Sequence, residues 1–358
     1  MIEDLLTRLG GAELISWHHA NGTDIDAKMY REHYRKVLFD GLSHSRLIYL
    51  DTNYWVWLRQ AELGCGSAAA ESLLQMLREM VRSREVICVS HFNSFLELGK
   101  QEEASLRVTA CLLDELTEGI AIAPMSDLRE WDCGQYISVK LGIQMQEGLF
   151  NWTKIGQIHQ HVLPEELPWP VTRAGRDVIL KATIDAFWNA TFEDVFDQFS
   201  WATKHTLNAV IDPGVIALVE ERRLKQLADG QSRERVRLSE FSQFINKSLR
   251  PIFIDQLRTW NIQHRFPYGL DGFMHQLQTV MGAAVNDFKE RKLGTLLPSV
   301  TIPVELYTLY ETGNPNKRLT TNDWVDWEHA AAALPHCDVF LTEHHLAHQL
   351  HQELKADM

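Results

Sequence analysis

Acidic residues stand at or just past the ends of several short apolar runs. Asp51 follows RLIYL (46–50) and is itself followed by Thr52 and Asn53. Glu97 lies in SHFNSFLELGK, just beyond the run EVICVS (85–90). Asp323 and Asp326 open a helical stretch, Asp338 begins the run DVFLT, and Glu343 follows Thr342. If the runs are parallel strands, acids at their ends converge on one rim, where such sheets bind ligands. Carboxylates gathered there repel by about 4 kcal/mol per pair at 4 Å and an effective dielectric near 20. A cation must neutralise them. Oxygen ligands of this kind suit Mg²⁺ or Mn²⁺, which in turn take phosphate oxygens as partners. The chemistry indicated is divalent-metal binding with a phosphate as the remaining partner. Each acid also has a plain structural alternative. Asp51 can cap a helix beginning near Tyr54, Asp323 can be an N-terminal helix charge, and Asp338 can simply start a strand.

The elements needed to position these acids are legible. Runs 46–51, 85–90, 119–124 and 338–342 are short and apolar, as strands buried in a parallel sheet are. Between them lie helical patterns. The clearest is SAAAESLLQMLREMVRS, which places Leu73, Leu74, Leu77 and Met80 on one face. Residues 1–42 read as two helices, the second starting around Thr23, Asp24 and Asp26. From about 125 to 310 the pattern is almost wholly helical and no strand is expected. The fold class is therefore α/β: a parallel sheet flanked by helices, carrying a large all-helical insertion. The expected divisions are N-terminal helices at 1–43, a core in two parts at 44–124 and 320–358, and the insertion at 125–319.

Composition narrows the functional classes. The chain has 358 residues, 45% of them hydrophobic, enough for a large core in one or two domains. A net charge of −13 argues against a DNA-coating or membrane-surface role. Locally the balance reverses between Arg222 and Arg237, so Arg233, Arg235 and Arg237 are candidate nucleic-acid contacts. The alternative is a solvated helix face. No apolar run approaches the roughly 18 residues a membrane span needs, and MIEDLLTRLGG does not look like an export signal. Five scattered cysteines without a CxxC motif point to a reduced, cytoplasmic protein, with Cys88, Cys111 and Cys337 expected to be buried. His344, His348 and His351 share a helical face that can hold Zn²⁺. His91 and Asn93 lie where a phosphate contact is conceivable, and His329 reads as a core or supporting histidine.

Three stretches together resemble a family. RLIYLDTNYW, SHFNSFLELGK and NDWVDWEHAAAALPHCDVFLTEHH are similar, in that order, to the motifs of PIN-domain nucleases. The resemblance covers 44–124 and 320–358. It implies a PIN-like parallel sheet with Asp51, Glu97 and Asp326 holding Mg²⁺ or Mn²⁺, Thr342 orienting Asp51, and Asn53, Asp323 and Asp338 supporting. Glu343 would complete the shell in place of the family's usual aspartate. The implied activity is endoribonuclease cleavage of single-stranded RNA, with DNA as the other candidate, leaving a 5′-phosphate and a 3′-hydroxyl. A toxin or defence role, a restraining or complex-forming protein partner and homo-oligomerisation are consistent with the family. The competing function is a non-catalytic binding module built on the same scaffold.

Overall fold

The computed structural model describes residues 10–22, 25–142, 151–157, 172–197, 213–263, 269–292, 296–313 and 317–353. In chain order its elements begin α1 (Gly11–Ala20), α2 (Ala27–Leu42), β1 (Arg46–Leu50), α3 (Thr52–Glu62), α4 (Ala68–Arg82), β2 (Val86–Val89) and α5 (Phe92–Leu98). There follow α6 (Glu103–Thr117), β3 (Ile120–Ile122), α7 (Met125–Lys140), β4 (Trp152–Lys154), α8 (Arg173–Trp188), α9 (Pro213–Ala228) and α10 (Arg233–Phe244). A turn of π-helix (Ile245–Leu249) joins α10 to α11 (Arg250–Gln263). Last come α12 (Leu270–Lys289), α13 (Pro298–Thr312), α14 (Thr321–Ala333), β5 (Val339–Leu341) and α15 (His344–His348), which runs into a second π turn (Gln349–Glu353). The described residues are thus mostly helical, with a small three-stranded parallel sheet. No helix among the described residues is long and apolar enough to cross a membrane.

The chain divides into two compact units. The first comprises Met1–Pro124, Gly148–Asn208 and His336–Thr342; the second comprises Met125–Glu147, Ala209–Pro335 and Glu343–Met358. These boundaries differ from the divisions expected from sequence. The N-terminal helices and α8 join the sheet, while α14 belongs with the helical unit.

In the first unit the strands run β2-β1-β5, all parallel, with β1 in the centre. Tyr49 and Leu50 are wholly buried, as a central strand covered on both faces requires. α4 shows how its sequence builds the core. Ser67 caps it by accepting the Ala70 N–H at 3.2 Å, and Leu74, Leu77 and Val81 fall on one buried face. Each such buried side chain contributes roughly 1.5–3 kcal/mol. These residues pack with Leu50, Trp55, Leu58, Phe95 and Leu113. One strand was not foreseen: β4, inside the stretch read as helical, pairs antiparallel with β3. Its three residues are too few to show a period, and its partner is distant in sequence. Cys88 is buried as expected, but Cys111 is exposed and Cys337 only half-buried.

The second unit is helical. Phe241, Phe253, Leu277, Ala284, Phe288 and Val300 form its core, with the Phe241 and Phe288 rings stacked at 3.8 Å. Trp327 of α14 packs edge-on against Tyr307 of α13 at 5.9 Å. Arg237 is the main correction here. It is 3% exposed, paired with Glu305, bonded to the Phe288 carbonyl at 3.0 Å and stacked over the Phe288 ring. It holds the core together and does not face a polyanion. Arg233, in the first turn of α10, and Arg235, on the face away from Arg237, are exposed.

Candidate metal centre

β1 delivers Asp51 to the C-terminal edge of the sheet. The ladder with β5 continues one residue past the strand, because the Asp51 N–H donates to the Leu341 carbonyl at 2.9 Å. Thr342, next along β5, therefore stands beside Asp51, and its hydroxyl donates to Asp51 Oδ2 at 2.8 Å. The other carboxylate oxygen accepts the Thr52 N–H at 2.6 Å, at the start of α3. Asp51 is thus the N-cap of α3 and also a carboxylate fixed from both sides. The helix N-terminus favours its charge. Below it, the Trp55 indole donates to the Leu50 carbonyl at 3.1 Å, which anchors the strand end to the helix.

β2 delivers the second acid. The strand ends at Val89, and α5 begins with His91 as its N-cap, whose Nδ1 accepts the Asn93 N–H at 3.4 Å. Glu97 follows on that helix, and its Oε2 accepts the Thr52 hydroxyl at 2.5 Å. Thr52 thus bridges the two acids through its backbone and its side chain. Carboxylate oxygens of Asp51 and Glu97 lie within 4.8 Å of each other. At that separation, with an effective dielectric near 20, the repulsion is about 3 kcal/mol. Asp51 is only 5% exposed, so water screens it poorly. The pair offers hard, pre-oriented oxygen donors suited to Mg²⁺ or Mn²⁺. The bridging role of Thr52 was not read from sequence; its one signal was its place between an acidic strand end and a helix start.

The other expected site residues fall into three groups. Asp338 lies at the wrong end of its strand. Its carboxylate accepts the Leu47 N–H at 2.7 Å, and its own N–H donates to the Leu47 carbonyl. Since Leu50 is opposite Leu341 and Asp51 stands beside Thr342, Asp338 sits four residues, roughly 13 Å, from the edge that carries Asp51. Asp323 forms a capping box with Thr320 and an ion pair with Lys317 at 2.7 Å, which together outweigh burial and hold its carboxyl below the usual range. Both are structural. Asn53 follows Thr52 in the first turn of α3 and is half-buried; His91 and Asn93 are buried.

In the second unit, α14 carries Asp326, half-buried, and one turn later His329, fully buried. Residues three apart share a helix face, so both point the same way. Glu343 is exposed and follows Thr342 directly at the start of α15. His344 and His348 are exposed, with parallel rings 6.4 Å apart, and among the described residues no three-ligand group includes them. No family model, curated protein or solved structure matches this chain.

Proposed function

We propose that the chain is a PIN-like, metal-dependent nuclease acting on single-stranded RNA. The observation that carries the reading is the Asp51–Glu97 pair, two acids brought together at the C-terminal edge of a parallel sheet and braced by Thr52 and Thr342. An acidic pair braced in this way is costly unless a cation joins it. Asp51 and Glu97 would hold Mg²⁺ or Mn²⁺; the resemblance of the sequence to PIN-domain nucleases implies Asp326 and Glu343 as further carboxylate donors. When bound, the metal supplies a water of lowered pKa and a counter-charge for phosphate. The residues of the chain do the positioning. Thr342 and Thr52 restrain the Asp51 carboxylate, and the Thr52 hydroxyl directs Glu97. Arg233 and Arg235, both exposed, are the proposed contacts to the phosphate backbone.

The test is Asp51→Asn. The amide oxygen still accepts the Thr52 N–H, so the fold survives, but a metal-binding charge is lost. Cleavage of single-stranded RNA in Mn²⁺ should fall by orders of magnitude. Mg²⁺ at a hundred times its dissociation constant should stabilise the parent by about 2.7 kcal/mol and the variant far less. Equal metal-induced shifts, with no cleavage by either protein, would remove the nuclease reading and leave a binding module.

A further inference from the structure

The π turn between α10 and α11 has no role in the site above. Such turns are rare, and many sit at functional sites. Its wider winding brings Ile245 and Arg250, five residues apart, towards one face. That face borders a cavity of about 270 Å³ whose other wall is α12, through Met274, Met281 and Gly282. Gly282 is exposed at the mouth of the cavity, and a Cβ added there would meet nothing within 4 Å, so a larger side chain fits. Methionines make such a wall adaptable in shape. Arg250 is exposed at the rim, and among the described residues its guanidinium has no hydrogen-bond or ion-pair partner.

Small-molecule sites are concave, largely apolar and furnished with a few polar groups that set orientation. From the cavity, its methionine wall and the one cationic side chain among its lining residues, we propose that the π turn and α12 form a binding site for a small monoanionic amphiphile, a carboxylate on a short apolar chain. The chain lies along Met274 and Met281, and the carboxylate pairs with Arg250. A single guanidinium matches a monoanion, and a cationic or neutral head group would leave it unpaired. The cavity lies wholly within the second unit, so the proposal stands apart from the nuclease reading.

The experiment is calorimetric titration of the full chain with octanoate, octylammonium and octanol. Octanoate should bind, and the two controls at least tenfold more weakly. Arg250→Ala should weaken octanoate at least tenfold. Gly282→Leu should abolish its binding and raise the ligand-free Tm, since leucine fills open space and is a far better helix former than glycine. Overturning results are no octanoate binding by the parent, equal binding of octanol, unchanged binding by either variant, or a destabilised Gly282→Leu protein.

Discussion

Replacing Thr342 by valine removes one hydroxyl and almost no volume. That hydroxyl donates to Asp51 Oδ2 at 2.8 Å, and the acceptor is 95% buried. A hydrogen bond to a charged group contributes roughly 1.5–3 kcal/mol. Valine is at least as good as threonine in an extended segment, so no backbone penalty is added. Taking about 2 kcal/mol at ~2–4 °C per kcal/mol for a body of this size, Tm should fall by about 4–8 °C without metal. The second consequence is functional. Asp51 keeps the Thr52 N–H on one oxygen but is released on the other, so its carboxylate can rotate. Losing a partner that orients a metal ligand typically costs 10–100-fold in metal affinity or activity. Thermal unfolding in EDTA reads the first effect and Mn²⁺ titration the second, with Thr342→Ser as the rescuing control. If Thr342→Val matches the parent in both assays, or serine does no better than valine, the hydroxyl does not position Asp51.

Arg237→Ala should destabilise the second unit by about 3–5 kcal/mol, because it strands the buried Glu305 carboxylate. Arg233→Ala with Arg235→Ala should leave Tm nearly unchanged and flatten the salt dependence of RNA binding; an unchanged salt slope would return both to a solvated face. Glu240 is pushed up to about 7 by burial and then by the Glu311 charge, with Arg222 opposing. The folded state therefore binds this proton more tightly than the unfolded state, so stability falls as pH rises from about 4.5 to about 7. Allowing for solvent screening, the loss is about 1–2 kcal/mol. Glu240→Gln should flatten that decline, and parallel Tm–pH curves for parent and variant would contradict it.

The sheet was legible because its strands are short, apolar runs flanked by strongly patterned helices. The order of acids along the chain likewise placed Asp51 and Glu97 at strand ends, where the edge of the sheet brings them together. Asp338 was misread as part of that rim. It opens its run, whereas Asp51 closes one, and in parallel strands these positions lie at opposite edges. Arg237 was invisible for a different reason. Neighbouring Arg233 and Arg235 made a basic run, and only tertiary packing decides which member of a run turns inwards to Glu305. β4 escaped because its identity as a strand comes from its pairing with β3. Thr52 shows the same limit within the site. Its hydroxyl matters only because the topology carries Glu97 to it from 45 residues away.

The central claim is that Asp51 and Glu97 share a divalent metal ion. A crystal of the full chain soaked in Mn²⁺, with anomalous difference density collected near the manganese edge, addresses it directly. The account predicts a peak bonded to an oxygen of Asp51 and an oxygen of Glu97, at about 2.0–2.2 Å as for small octahedral cations. The same peak should be missing from the Asp51→Asn protein. Ordered density for both carboxylates with no anomalous peak between them, at Mn²⁺ concentrations that fill ordinary carboxylate sites, would contradict it.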